Sequence, residues 1–314
     1  EGNTVVIDPA AQENPTDPAE PSKAETLAAL DSSRLVARSK LVTLKNGRKG
    51  IRITWSDKNG AEMNFDGVEI YGSRCHLHPD DFDETLAKTV RTYAERTGME
   101  IPMYTPLALN LPLCICSPNP AERAAGVAYY QKCVDIAAAI VCPRLLVVAD
   151  HPGYFTPRKQ IWDYLTDSMR QICRYARGKH VQVTIEPLTP MESPVVTTAD
   201  DCVELLERVD EPCLYAMLDI VPPTIVKEPL SKYFRMLGDR LNYIHICNND
   251  GVTDAHLRLG SGVIPIPDVL DVFKHHSWEG YVTTELYSEC FTDPELMLAN
   301  TARELRDIRQ ALEI

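Results

Sequence analysis

The chain has 314 residues, of which 44% are hydrophobic and 25% charged, and it carries a formal net charge of −13. Such a composition belongs to a globular protein with enough apolar mass for a sizeable core, in one large domain or two small ones. The acidic balance, with no cluster of Lys and Arg, argues against a nucleic-acid partner, and the longest apolar runs, at 136–142 and 145–149, fall far short of the ~18 residues that span a bilayer.

The first 65 residues form an atypical segment. Residues 9–23 are rich in Pro, Ala, Glu, Asp and Asn and read as a linker or loop. Residues 24–38 look helical. Residues 41–55 read as a β-hairpin, because Asn46-Gly47 supplies the positive φ angles of a tight turn between two strand-forming runs.

From residue 66 to the C-terminus the pattern is regular. Strand-forming runs at 68–72, 101–105, 145–150, 181–186, 214–219, 243–246 and 282–286 alternate with amphipathic helical segments at 81–97, 120–140, 158–177, 198–209, 230–237, 267–275 and 294–311. Seven βα repeats predict a single-domain (β/α)8 barrel whose remaining strand comes from the first 65 residues. Residues 4–8 are preferred for it over 50–55, since only about a dozen residues separate Trp55 from the next strand, too few for a crossover helix.

The ten cysteines are scattered among apolar neighbours, a pattern that suits reduced thiols in a cytoplasm. The close pair Cys114 and Cys116 lacks a second pair for a zinc knuckle and reads as structural. Neither a signal peptide nor a membrane anchor is visible, although the start at Glu1 leaves room for a removed leader.

The chemistry lies at the strand ends. Glu186, Asp219, His245 and Glu285 each stand at or near the C-terminal end of a predicted strand, and in a (β/α)8 barrel those ends converge on the mouth where active sites are built. Taken singly, a strand-end Asp or His is more often a cap or a loop anchor. Four on consecutive strands are harder to dismiss. Three carboxylates crowded together repel one another and need a compensating charge, which a divalent cation supplies. Three carboxylates and one imidazole suit Mn²⁺, the expected ion, with Mg²⁺, Co²⁺ or Zn²⁺ as alternatives.

These residues sit within motifs that resemble the xylose-isomerase-like barrel family of sugar phosphate isomerases and epimerases, most closely its fructoselysine 3-epimerase branch. The resemblance rests on Gly67-Val-Glu-Ile-Tyr-Gly72, Arg74 with His76, Tyr104-Thr-Pro106, His151-Pro-Gly-Tyr154, Glu186-Pro-Leu-Thr-Pro190, Asp219-Ile220 and Tyr243-Ile-His245. It continues through Asp250-Gly251, Asp254-Ala-His256, Gly260-Ser-Gly262 and Thr284-Glu-Leu286, and covers roughly four-fifths of the chain. It implies a metal held by Glu186, Asp219, His245 and Glu285, with Glu186 and Glu285 flanking the carbon whose configuration changes. One carboxylate then removes a proton beside a ketose carbonyl and the other returns it, through an enediolate.

Softer expectations are His151 as an extra base or hydroxyl contact, and Arg74, His76, Tyr104 and His256 as substrate contacts; each has an ordinary structural reading as well. The sequence departs from related ketose epimerases at Pro222, where many carry a histidine, and at Asn248, where an acid is common. The expected partner is a small sugar or sugar conjugate. The chain is expected to form a homo-oligomer, or a hetero-oligomer with a small β-rich subunit. That second arrangement belongs to the rival reading, a C-glycoside deglycosidase acting on 3-oxo-glycosides, which the same barrel also resembles. An endonuclease IV-like phosphodiesterase is disfavoured by the charge and by only eight histidines. A non-catalytic sugar-binding barrel is the remaining alternative.

Overall fold

The structure is a computed structural model and describes residues 3–7, 35–43, 49–57, 65–74, 76–287 and 294–312. Its centre is a parallel sheet of seven strands: β4 (Ile70–Gly72), β5 (Tyr104–Pro106), β6 (Arg144–Val148), β7 (Gln182–Glu186), β8 (Leu214–Asp219), β9 (Leu241–Ile246) and β10 (Val282–Thr284). They lie side by side in chain order. Each crossover carries a helix, as parallel neighbours require. The helices are α1 (Glu84–Thr97), α2 (Pro120–Ala139), α3 (Arg158–Arg177), α4 (Ala199–Val209), α5 (Val221–Val226), α6 (Leu230–Leu237), α7 (Ile266–His275) and α8 (Pro294–Leu312).

Local chemistry sets these boundaries. Asp83 caps α1 by accepting from Leu86 N at 2.7 Å, and Gly98 ends it with φ of 70°. Thr198 opens α4 in a reciprocal capping box with Asp201. α5, which the sequence reading missed, starts Val221-Pro222-Pro223. Prolines read as breakers, yet in a first helical turn their missing N–H groups have no intrahelical partner to lose. The remaining strands and helices match the expected segments to within a few residues.

The sheet curls until its two edge strands approach one another. The Tyr281 hydroxyl, just before β10, donates to the Glu100 carboxylate, just before β5. Inside the curl, Glu69, next to β4, meets His245 of β9. The core fills the sheet and its helix-facing side, with Met103, Leu145, Val147, Val183, Ile185, Leu218 and Ile244 against Leu165, Met169, Ile172 and Leu205, all buried. Burying such side chains contributes about 1.5–3 kcal/mol each. Eight cysteines of the described residues are free thiols, and seven of those are buried. No helix among the described residues is long and apolar enough to cross a membrane.

The N-terminal expectations are corrected in part. β2 (Leu35–Thr43) and β3 (Lys49–Asp57) form the expected antiparallel hairpin, but longer, with nine register pairs from Thr43 opposite Lys49 to Leu35 opposite Asp57. Residues 35–38 are therefore strand, where a helix was expected over 24–38; the rest of that segment lies outside the described residues. β1 (Asn3–Ile7) pairs antiparallel with the other edge of β3. Both candidates for the first barrel strand, 4–8 as far as residue 7 and 50–55, thus belong to a separate three-stranded sheet of order β1-β3-β2; residue 8 lies outside the described residues. The run Leu35-Val-Ala-Arg-Ser-Lys-Leu-Val-Thr satisfies its backbone along β3, and β3 has a second edge to offer β1. No eighth parallel strand lies among the described residues.

Candidate active site

Register sets Asp219 and His245 side by side, with Glu186 and Glu285 at the same ends of the flanking strands. Glu186 ends β7 opposite Val148, Asp219 ends β8 opposite His245, and His245 on β9 faces Thr283 of β10. Glu285 follows β10 by one residue, and its N–H donates to Ile246 O at 3.1 Å. Alternation along β9 points Tyr243 and His245 the same way, and their rings lie 5.7 Å apart.

His245 is the hub. Its Nδ1 lies 3.0 Å from Glu186 Oε1 and 3.0 Å from Glu285 Oε2, while its Nε2 lies 2.9 Å from Glu69 Oε2. The Thr105 hydroxyl donates to the other oxygen of Glu69. Asp219 stands to one side: its Oδ1 accepts from Val221 N at 3.0 Å, and its Oδ2 is 3.6 Å from His256 Nε2. His256 Nε2 is also 3.5 Å from Glu285 Oε2.

These contacts divide the charges. Burial, aided by the Glu285 and Asp219 charges and opposed by His245, pushes the Glu186 carboxyl up to about 8. Burial acts the same way on Glu285, but the His245 and His256 charges outweigh it and bring that carboxyl down to about 2. Burial opposes charge on both imidazoles too. Glu69 and Glu285 nevertheless hold His245 well above the usual histidine range, and Asp219 with Glu285 raises His256 to about 11.

The site's chemistry fits a divalent cation. Two carboxylate oxygens face one imidazole nitrogen, which has a single proton to offer. Glu285 Oε2 is fully buried and accepts no hydrogen bond, an unmet acceptor of the kind that buried sites seldom tolerate. Glu186, His245 and Glu285 each present one ligand atom, all within 4.8 Å of one another. A cation in place of the Nδ1 proton would take all three, and Nε2–H would remain bonded to Glu69. A carboxylate–histidine pair of that kind commonly fixes the tautomer of a metal ligand. Asp219 does not join this trio; it groups with Cys247 and His256 within the same limit.

The loop that carries His256 is built by two amides. The Asn248 amide donates to Leu259 O and to Ile264 O, 2.5 and 3.1 Å, while its oxygen accepts from Ile264 N and Asn249 N. Asn249 donates to Thr253 O and Ala255 O, both at 2.8 Å. A carboxylate at 248 has no proton for the two carbonyls. Gly262 packs so tightly here that a methyl group would overlap Asn248 Oδ1 and Asn249 O.

The other expected contacts lie elsewhere. Tyr104 is completely buried and its hydroxyl donates to Leu77 O at 2.7 Å, so it is a core residue and not part of a pocket wall. Arg74 is exposed and pairs with Asp80 and Asp81 at 3.0 and 3.1 Å. His76 is exposed, with its ring 6.2 Å from that of Tyr71. His151 Nδ1 accepts from Gly153 N at 3.0 Å and its ring lies 4.7 Å from Tyr154, which makes it an anchor of its own loop. Of these softer expectations only His256 reaches the cluster. Sequence reasoning missed Glu69, although the alternation of Val68, Glu69 and Ile70 sets its side chain opposite to its apolar neighbours.

Comparison with known proteins agrees with this architecture. The chain is 31% identical over 260 residues to fructoselysine 3-epimerase of Shigella flexneri, spanning 83% of this chain and 94% of that one. It is 24% identical over 243 residues to L-ribulose 3-epimerase of Methylomonas sp., spanning 75% and 79%. D-psicose 3-epimerase from Clostridium cellulolyticum superposes with a TM-score of 0.67 at 18% identity, over 80% of this chain and 90% of that one. 3-Keto-D-glucoside 4-epimerase from E. coli does so with a TM-score of 0.63 at 17% identity, over 78% and 90%. The sequence profile of the xylose isomerase-like TIM barrel family matches residues 58–309, and this chain belongs to that family.

Proposed function

We propose that this chain is a divalent-metal-dependent sugar epimerase that removes and returns the proton on a carbon beside a ketose carbonyl. The observation that carries the reading is the pair Glu186 and Glu285. They face one imidazole nitrogen at equal distance, 3.0 Å each, with Asp219 and His256 beside them. Two carboxyls set beside one another at the barrel mouth can serve as the acid and base that such chemistry needs. The names of the relatives, 3-epimerases of fructoselysine and L-ribulose, support the same class.

One of the two carboxylates accepts the proton from one face of the carbon and the other returns one to the opposite face; the hand of the substrate sets which acts first. His245, anchored by Glu69, keeps the two carboxylates in fixed relation. His256 is positioned to meet a substrate oxygen. Glu186, His245 and Glu285, with Asp219 beside them, would hold a divalent cation, which would supply positive charge where negative charge develops on the substrate. Mn²⁺ fits the oxygen-rich donor set. The free thiols suit a cytoplasmic location.

The test is solvent deuterium exchange, followed by NMR, into ketoses, fructoselysine and 3-oxo-glycosides with and without Mn²⁺. Metal-dependent exchange next to a carbonyl with inversion, lost in Glu186→Gln, is the expected result. Release of an aglycone in place of inversion would indicate the deglycosidase. Absence of exchange across the panel, with no bound metal, would overturn the catalytic reading.

A further inference from the structure

The C-terminal helix reaches the mouth through one side chain. Glu304 of α8 is half-buried and accepts twice from the loop after β9, from Arg258 Nη1 at 2.6 Å and from the Gly260 N–H at 3.1 Å. The carboxylate comes so close that a methyl group on residue 260 would stand 2.6 Å from its Oε1, so this approach needs the glycine. Both bonds are charge-assisted, and together they fix the direction of the loop as well as its distance from the helix.

The same loop is gripped from inside. Asn248 and Leu257 exchange two backbone bonds of 2.8 Å, and the Asn248 amide donates to the carbonyls of Leu259 and Ile264. The residues that Glu304 holds, 258 and 260, alternate with two that Asn248 holds, 257 and 259, and Leu259 is buried between the two grips. His256 comes directly before this clamped stretch. Its carbonyl accepts from Tyr287 N at 3.3 Å, and its Nε2 stands 3.6 Å from Asp219 Oδ2 and 3.5 Å from Glu285 Oε2.

We propose that Glu304 is a positioning residue of the site: through Arg258 and Gly260 it clamps the rim loop from α8, and the clamped loop keeps His256 beside Asp219 and Glu285, where it meets a substrate oxygen. The part about substrate rests on the function proposed above; the clamp itself does not. Glu304 acts through the loop, so it sets how substrate is met and not how tightly the trio holds an ion.

The experiment reads the Mn²⁺-loaded full chain in two ways, by hydrogen–deuterium exchange of the amides in segment 257–264 and by the kinetics of solvent deuterium exchange into fructoselysine. In Glu304→Ala, amide exchange in that segment rises about tenfold and kcat/KM falls by about the same factor, while Mn²⁺ affinity stays that of the parent. Glu304→Gln keeps an oxygen for the Gly260 N–H and recovers most of both. Gly260→Ala, which crowds the carboxylate away, gives the same signature as Glu304→Ala and provides the test if that variant fails to fold. Leu305→Ala loosens α8 where it packs on the core but spares the clamp, and it leaves both readouts near those of the parent. Unchanged amide exchange in Glu304→Ala, or equal changes in Leu305→Ala at matched loss of stability, would overturn the positioning role and leave the proposed function standing. No turnover by the parent chain would sink the proposed function, and amide exchange, which needs no substrate, then decides the clamp by itself.

Discussion

Glu69 offers the sharpest test of how the trio is held. It supplies the one contact that the described structure gives His245 Nε2, at 2.9 Å, and His245 is 2% exposed. Glu69→Leu removes the acceptor and leaves Nε2–H facing an apolar group where water does not reach. An unsatisfied buried donor costs about 1–3 kcal/mol, and every 1.4 kcal/mol is a factor of about ten in an equilibrium constant. Loss of an outer carboxylate behind a metal-bound histidine weakens metal binding by about 10–100-fold. Mn²⁺ affinity, measured by titration calorimetry, should therefore fall by that factor in Glu69→Leu. Glu69→Gln keeps an amide oxygen for Nε2–H, and the Thr105 hydroxyl can rotate to accept from the amide nitrogen, so its loss should stay below about tenfold. If a folded Glu69→Leu binds Mn²⁺ as tightly as the parent, His245 Nδ1 is not the metal-facing nitrogen and the assignment of its tautomer is wrong.

Stability of the metal-free protein should fall as pH rises. The Glu186 carboxyl, raised to about 8 in the fold from an ordinary value of 4.5, loses its proton first in the unfolded chain, so its effect on folding worsens across that window. His256, raised from 6.5 to about 11, acts in the same direction: its stabilisation is complete below 6.5 and is lost toward 11. Thermal melts between about pH 5 and pH 8 should show the decline, and saturating Mn²⁺ should suppress it; an equal decline with and without the ion would contradict the trio as the binding site. Asn248→Asp replaces a buried donor by a carboxylate facing two carbonyls, so urea unfolding should report a loss of about 3–5 kcal/mol; a change under about 1 kcal/mol would refute the scaffolding role. Gly262→Ala, by overfilling the same loop, should cost about 1–3 kcal/mol in that assay.

Much of the barrel was legible because its signals are local. Runs such as Leu214-Tyr-Ala-Met-Leu-Asp219 declare a strand by composition, and a strand-end acid declares a direction once the parallel sheet is assumed. The N-terminal segment was not legible in that way: whether residues 3–7 join a parallel or an antiparallel sheet depends on a partner some fifty residues on, and propensity does not carry pairing. In the site, Glu186, His245 and Glu285 were found by their place on strands. Tyr104 was misread because a strand residue beside the mouth can point inward or into the packing, and its hydroxyl is spent on Leu77 O. Glu69 went unnoticed because the residue that gives it meaning, His245, lies 176 positions away. Asn248 looked like a missing charge; only the loop geometry reveals that an amide is required there.

The paired amides of Asn248 and Asn249 carry a consequence for how the mouth behaves in different solutions. Their own hydrogen bonds are between neutral groups, so dissolved ions have little to screen in them and acid does not protonate them, unlike the Asp250 carboxylate that also anchors this loop. A cation arriving at the mouth meets a receptor already in shape, and it spends little of its binding free energy on arranging the protein.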